Sequence, residues 1–176
     1  LGLDSMSDRR YVSYFRDIET GSITEDVFRA GLRQIAADHN KPWVSDHDLD
    51  YAWNRMILKI PNENIELLER LRDKYRIFLL SNTNSIHLRY FEQNAFNEGC
   101  DFKKFESLFV APYYSHLIGE RKPNRAAFSY VLNKHSLDPS KTLFIDDNAP
   151  NFAGATEAGI FCFRIQDPLV DIGLEK

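Results

Sequence analysis

The sequence is poor in cysteine and lacks any long apolar run. Its 176 residues include only two cysteines, Cys100 and Cys162, which stand far apart and form no Cys-x-x-Cys pair. A disulfide framework and a structural zinc site are therefore not expected, and we expect a cytoplasmic protein. No apolar run approaches the roughly 20 residues that a membrane-spanning helix needs.

Neither sign of charge dominates the sequence. Lysine and arginine together number 22 and aspartate and glutamate 26, which gives a formal net charge of −4. Such a chain has no global basic field to attract a nucleic acid or an anionic membrane, so we expect neither as a partner. The five histidines are scattered and show no metal-ligand spacing.

The composition is that of a packed protein, with 43% apolar and 27% charged residues. At roughly 100–200 residues per domain, the length predicts one domain with a small appended subdomain. The hydrophobic pattern changes near Pro61. We therefore place a helical unit at residues 1–60 and a second unit at residues 61–176.

The first unit has helical periodicity. Phe28, Leu32 and Ile35 recur at the spacing of one helix face. Two stretches, one beginning at Ser22 and one at Ser45, have the spacing of a helix N-cap signal. These patterns predict a small all-helical unit.

The second unit alternates short apolar runs with helical patterns. We predict strands at residues 76–81, 107–111, 142–146 and 160–163, with helices between them. Strands that alternate with helices are typical of a parallel α/β sheet. The predicted fold class is therefore α/β.

Polar side chains follow the predicted strands at the place where a parallel sheet binds ligands, beyond the carboxyl ends. Ser81 and Asn82 end the first strand, and Asp146 and Asp147 end the third. Lys122 lies in a loop between them. Taken singly, each has an ordinary explanation, as a helix cap or an exposed loop lysine. Together they match phosphoryl transfer, because lysine, hydroxyl and helix N-terminal amides bind phosphate and paired carboxylates bind Mg²⁺.

Three strings carry a family resemblance. They are Ser-Asn-Thr-Asn at 81–84, Arg-Lys-Pro at 121–123, and Phe-Ile-Asp-Asp-Asn-Ala-Pro-Asn at 144–151, followed by Gly154 and Gly159. They resemble motifs II, III and IV of the haloacid dehalogenase (HAD)-like hydrolase superfamily, in the branch of sugar-phosphate phosphatases of the glucose-1-phosphatase type. The resemblance covers about residues 64–165. It implies a three-layer, parallel Rossmann-like sheet and makes residues 1–60 a small helical cap.

The resemblance also implies how a phosphate would be held. Ser81, together with Asn82, would bind the phosphate, and Lys122 would bridge the phosphate and the nucleophile. Ser81 and Lys122 would thus take part in catalysis. The implied partner is a small phosphorylated molecule.

A magnesium site is implied at the end of the third predicted strand. Asp146 would ligate Mg²⁺, and Asp147 would hold a water on the metal or a neighbouring group. Asn151 would support this site without touching the reacting atoms. The expected cofactor is therefore Mg²⁺.

One motif of the family is missing from the chain. The family's nucleophile is an aspartate at the end of a strand that precedes the cap, with a second acid two residues later. Asp4 follows too short a run for a strand and Asp8 lies in a helical pattern, so neither is expected to be the nucleophile. We expect a segment of about 25–30 residues, one strand and the start of a helix, to precede Leu1 in the intact protein.

The leading hypothesis is a Mg²⁺-dependent phosphatase that acts on a small phosphomonoester, such as a sugar phosphate, through an aspartyl-phosphate intermediate. Two alternatives stay open. A haloacid dehalogenase of the same superfamily needs no metal, and its motif lacks the paired acids that Asp146 and Asp147 provide here. A catalytically inactive HAD-like binding domain is expected if the chain has no nucleophile.

Overall fold

The computed structural model describes residues 9–41, 43–97 and 100–165. Within them, three helices precede Pro61, and their bounds are α1 (Arg9–Glu19), α2 (Glu25–Asp38) and α3 (Asp46–Asn54). These helices pack around one buried apolar cluster, to which α2 contributes Phe28 and Leu32 and α3 contributes Leu49. In the described part of the chain, no helix combines the length and apolar character needed to cross a membrane.

Side-chain caps decide where α2 and α3 begin. Thr24 Oγ1 accepts a hydrogen bond from the Val27 N–H at 3.4 Å, so Thr24 is the N-cap of α2. The prediction of a cap at Ser22 is wrong, because Ser22 lies in the turn before the true cap. The predicted cap at Ser45 is confirmed, since its Oγ accepts from the Asp48 N–H at 3.1 Å.

Beyond Pro61, strands and helices alternate along the described chain. The strands are β1 (Phe78–Ser81), β2 (Ala111–Tyr114), β3 (Leu143–Asp146) and β4 (Phe161–Arg164). The helices are α4 (Asn62–Leu71), α5 (Ser85–Asn94), α6 (Phe102–Glu106), α7 (Ser115–Ile118), α8 (Arg125–His135) and α9 (Phe152–Glu157). This alternation confirms the α/β fold class.

The second strand lies later in the chain than predicted. We expected it at residues 107–111, but β2 begins at Ala111. Phe105 lies in α6 and Leu108 in the turn after it. Both are buried in one cluster with Ile65 of α4. The apolar run before Ala111 thus serves helix packing, and a short apolar run alone does not separate a strand from a buried helix.

The described strands form two separate parallel pairs. β1 pairs with β2, with Ser81 opposite Tyr114, and β3 pairs with β4, with Asp146 opposite Arg164. In this part of the chain, β1 and β3 each keep one edge without a strand partner. Ser81 and Asp146 are the last residues of their strands, so each pair ends in a polar group.

Successive residues of β1 face opposite layers of helices. Leu80 packs against Phe128 of α8 and Ala155 of α9. Leu79 packs on the other side, against the cluster that contains Ile65 and Phe105. Helices therefore cover both faces of β1, as the three-layer prediction requires.

A charged clasp attaches the helical unit to α5. Glu25 accepts hydrogen bonds from both terminal nitrogens of Arg89, at 2.6 and 2.8 Å, and from Ser85 Oγ at 2.6 Å. Arg29 pairs with Glu25 at 3.0 Å and with Asp50 at 2.8 Å. Chiefly through the Arg89 hydrogen bond, these contacts lower the pKa of Glu25 from 4.5 to about 2. We call this group of five side chains the Glu25 clasp.

Candidate active site

A lysine and a buried carboxylate meet at the carboxyl end of β3. Lys122 Nζ donates to Asp146 Oδ2 at 2.7 Å, and their side chains are only 11% and 7% exposed. Lys122 comes from the loop between α7 and α8, whereas Asp146 is the last residue of β3. The tertiary structure thus joins two of the residues that the sequence placed at this rim.

Further donors hold Asp146 in its charged form. Asp146 Oδ1 accepts from the Asn148 N–H at 2.8 Å, and Asn151 Nδ2 lies 3.0 and 3.1 Å from the two carboxylate oxygens. Burial by itself would raise the pKa of Asp146. The ammonium of Lys122, the Asn148 amide and Asn151 outweigh burial and lower this pKa below its ordinary value of 3.8. Asp146 is therefore an anion at neutral pH.

The side chain of Asn82 fixes the backbone of Lys122. Asn82 Nδ2 donates to the Lys122 carbonyl at 2.8 Å, and the Lys122 N–H donates to Asn82 Oδ1 at 2.8 Å. Because Asn82 directly follows β1, this reciprocal pair ties the lysine loop to the end of β1. Sequence reasoning singled out Asn82 for phosphate binding and missed this positioning contact.

Ser81 lies half-buried at the end of β1 and lines an open cavity together with Asn82 and Thr83. Thr83 is held in place by Ser115, which follows β2. The Thr83 N–H donates to Ser115 Oγ at 2.9 Å, and that hydroxyl donates to the Thr83 carbonyl at 2.9 Å. Ser115 is fully buried and was missed in the sequence, where only its place after a strand could have marked it.

Helix α5 begins immediately after these residues. Its N-cap, Asn84, is fully buried, and Asn84 Oδ1 accepts from the His87 N–H at 3.0 Å. The first amides of a helix and the positive end of its dipole favour an anion at this position. The end of β1 therefore offers a hydroxyl and backbone donors to a phosphate.

Gly154 allows α9 to touch the loop that carries Lys122. A Cβ at this position would lie 1.8 Å from the Pro123 carbonyl oxygen and 2.9 Å from the Arg125 nitrogen. Such contacts are impossible without moving backbone atoms. The sequence marked Gly154 as part of a motif, but its reason, close packing against Pro123, is visible only in three dimensions.

The oxygen donors at the end of β3 fit a magnesium ion. Asp147 is exposed, and its carboxylate has no partner among the described residues, whereas Asp146 is buried beside it. Mg²⁺ takes one or two protein carboxylates and completes its shell with water and phosphate oxygens. Over residues 9–41, 43–97 and 100–165, no group of three or more His, Cys, Asp or Glu side chains is arranged for a metal. The donor set matches a sparse magnesium site and not a closed metal centre.

The motifs and the geometry agree with one protein family. The family model of the haloacid dehalogenase-like hydrolases matches residues 13–159. The chain belongs to this family. The match includes helices from before Pro61 as well as all three strings that carry the resemblance.

Several HAD-like proteins resemble the chain. D-ribitol-5-phosphate phosphatase of Bacteroides thetaiotaomicron is 25% identical over 150 residues, which are 85% of this chain and 70% of that protein. The probable D-glycero-D-manno-heptose-1,7-bisphosphate 7-phosphatase of Thermoplasma volcanium is 30% identical over 111 residues, 57% of this chain and 76% of that one. A crystal structure of a HAD family enzyme from Bacteroides thetaiotaomicron is 34% identical, with a TM-score of 0.80 over 92% of this chain and 77% of its own.

This crystal structure of the Bacteroides enzyme is a complex with magnesium and inorganic phosphate. In it, one aspartate near the N terminus is changed to alanine. Membership in the HAD-like hydrolases confirms the family predicted from the three strings. The individual roles of the six predicted site residues stay predictions: Ser81, Asn82, Lys122, Asp146, Asp147 and Asn151.

Proposed function

We propose that this chain is part of a Mg²⁺-dependent phosphatase that acts on a small phosphomonoester, with sugar and polyol phosphates as its substrate class. The observation that carries the proposal is the buried Lys122–Asp146 pair beside the N terminus of α5. The ammonium suits a phosphate, and the carboxylate suits a hard cation. The two similar phosphatases, one of a polyol phosphate and one of a heptose bisphosphate, support the substrate class.

The phosphate would lie at the carboxyl end of β1. Its donors would be the Ser81 hydroxyl, the backbone N–H groups that open α5, and the Lys122 ammonium. The Asn82 side chain is engaged with the Lys122 backbone, so Asn82 would contribute its own N–H. Lys122 would compensate the negative charge that builds up during transfer.

Magnesium would be held at the end of β3. Asp146 would supply a buried carboxylate and Asp147 an exposed one, while Asn151 keeps Asp146 oriented. When bound, the ion would neutralise charge on the transferring phosphoryl group. The magnesium and phosphate complex of the Bacteroides enzyme supports this assignment.

The nucleophile of this proposal is an aspartate outside the described residues. Asp4 and Asp8 also lie outside them, and their exclusion as nucleophiles stays a prediction. A strand that adds to the unpartnered edge of β1 or β3 would end at the same rim as Lys122 and Asp146. The aspartate-to-alanine form used for the phosphate complex of the Bacteroides enzyme supports an aspartate in this role.

The reaction would take two displacements at phosphorus. The aspartate carboxylate forms a P–O bond while the ester P–O bond breaks, and the leaving alkoxide receives a proton from an acid. Water then attacks phosphorus and gives up a proton, and the aspartyl P–O bond breaks. Inorganic phosphate leaves and the carboxylate is restored.

We assign residues 1–60 to a cap and residues 61–176 to the catalytic core. The described helices of the first unit rest on α5 through the Glu25 clasp, beside the predicted phosphate site. A cap in this place would exclude water from the reaction and would contact the organic part of the substrate.

Phosphate release from a panel of sugar and polyol phosphates, measured on the full-length protein with magnesium chloride, tests the proposed function. We expect turnover that stops when EDTA is added and returns with excess Mg²⁺. Lys122→Met should abolish it, whereas Lys141→Met, which changes a lysine with an 82% exposed side chain, should not. EDTA-resistant halide release from a haloacid would instead identify a dehalogenase. Binding of phosphate without turnover of any ester would favour a binding domain.

A further inference from the structure

Glu19, the last residue of α1, reaches the loop that carries Lys122. Its Oε2 lies 2.8 Å from Nε of Arg121, the residue directly before Lys122. The side chains of Glu19 and Arg121 are 22% and 28% exposed, so the pair is largely screened from solvent. An acid of the helical unit thus contacts the residue that directly precedes the predicted catalytic lysine.

The turn after α1 keeps Glu19 in this place. Gly21 has a φ of +67°, and a Cβ added to it would lie 2.4 Å from the carbonyl oxygen of His116 on α7. Glycine is required both for this conformation and for the close approach. The end of α1 is therefore pressed against the segment that leads to Arg121.

Glu19 also lines the cavity at the phosphate end of the site. The cavity is bordered by Ser81, Asn82 and Thr83, and much of its remaining wall is apolar, including Met56 and Leu58. Among the described residues that line this cavity, Glu19 is the single acidic one. The organic part of a substrate that extends from the predicted phosphate site into this cavity would contact the Glu19 carboxylate.

The pair of Glu19 and Arg121 is not saturated with hydrogen bonds. The Nε of Arg121 is buried and makes no well-aligned hydrogen bond to any described residue, although Glu19 is close. Burial raises the pKa of Glu19 against the opposing effect of Arg121. A poorly solvated carboxylate of this kind gains from added O–H donors.

We propose that Glu19 determines specificity for hydroxyl-bearing phosphomonoesters, its carboxylate accepting hydrogen bonds from substrate hydroxyls while the phosphate lies at Ser81 and Lys122. Arg121 stabilises the charge of the Glu19 carboxylate as its ion-pair partner. This inference rests on the proposed function and deepens it, since it names the chemical group by which the helical unit recognises the substrate. A purely structural bridge between the two units would not distinguish one ester from another.

The experiment compares Glu19→Gln with wild type on two esters, ribitol 5-phosphate, which has several hydroxyls, and phenyl phosphate, which has none. We expect kcat/KM for ribitol 5-phosphate to fall about 10- to 100-fold, the effect of losing a hydrogen bond to a charged group. We expect kcat/KM for phenyl phosphate to stay unchanged. Glu120 directly precedes Arg121 and does not line the cavity. Glu120→Gln removes the same charge as Glu19→Gln and should leave both kcat/KM values unchanged.

Equal losses on both esters, or no loss on either, would overturn the role of Glu19. A binding measurement separates this result from a failure of the proposed function. In a thermal-shift titration with magnesium, Glu19→Gln should weaken the affinity for ribitol 5-phosphate and leave that for inorganic phosphate unchanged. If the wild type hydrolyses neither these two esters nor any ester of the sugar and polyol phosphate panel, the phosphatase proposal fails, and this titration alone then decides for or against Glu19.

Discussion

Asn82 and Lys122 hydrogen-bond to each other in both directions, side-chain amide to backbone, at 2.8 Å each. The two residues are 40 positions apart in the chain, and the pair joins the end of β1 to the loop before α8. From this anchored backbone the Lys122 side chain reaches Asp146 at the end of β3. One asparagine therefore links the two strand ends that frame the site.

Asn82→Ala should impair the site without unfolding the protein. The Lys122 backbone loses its donor and its acceptor, so the ammonium is no longer held in register. We expect kcat/KM to fall about 10- to 100-fold, as for other displaced catalytic groups. Asn82→Asp keeps the acceptor, but it loses the donor and adds a negative charge beside the predicted phosphate site, so we expect a loss at least as large as that of alanine. Wild-type activity in Asn82→Ala, with an unchanged circular dichroism spectrum, would contradict the positioning role.

Lys122→Met should destabilise the fold as well as remove activity. It leaves Asp146 buried without its counter-charge, which costs about 3–5 kcal/mol in the free energy of unfolding. Urea unfolding measures the loss, and Lys141→Met serves as the matched surface control. A Lys122→Met protein as stable as the control would show that Asp146 does not depend on the lysine.

The same variant should change the response to acid. In the wild type the pKa of Asp146 lies below 3.8, so its stabilising contribution is present above that pH and is lost as the pH falls through the lowered value. Without Lys122, burial dominates, and we expect the pKa of Asp146 to rise. The stability difference between wild type and Lys122→Met should then shrink between about pH 7 and pH 4. A pH-independent difference would contradict this account.

Gly154→Ala should be strongly destabilising. The new methyl group would collide with the Pro123 carbonyl, so α9 or the lysine loop must move. We expect a loss of about 1–3 kcal/mol or more in the free energy of unfolding, typical of overpacking, together with lower activity. Ala153→Ser adds one atom at the preceding, exposed residue and should have little effect. Equal unfolding midpoints for both variants would refute the close contact.

The Glu25 clasp should contribute to stability only above acid pH. The pKa of Glu25 is about 2 in the folded state, below its ordinary value of 4.5. The contribution of Glu25 to stability is therefore complete above about pH 4.5 and is lost as the pH falls towards 2. Melting temperatures of wild type and Glu25→Gln should therefore differ most at neutral pH and converge in acid. Glu66→Gln, which changes an exposed glutamate of α4 outside the clasp, is the control. Parallel curves for wild type and Glu25→Gln would rule out this linkage.

The sequence predicted best those features that depend on residues close together in the chain. Asp146 and Lys122 were found because a strand-end carboxylate and a loop lysine belong to strings of defined composition. The capping of α3 by Ser45 was found for the same reason. The prediction of a strand at residues 107–111 was wrong. Leu108 is buried among helices, and a short apolar run has the same sequence pattern whether helices or a sheet bury it.

By itself, the sequence determined the α/β class, the family and the kinds of side chain that stand at the ends of β1 and β3. These properties depend on local periodicity and on short strings, which a linear chain displays directly. Only the tertiary structure decided that Asn82 hydrogen-bonds to the Lys122 backbone and that Glu19 pairs with Arg121. It also decided that Gly154 packs against the Pro123 carbonyl, where a side chain would not fit. Such contacts join residues far apart in the chain, and which donor meets which acceptor depends on how the helices and strands pack.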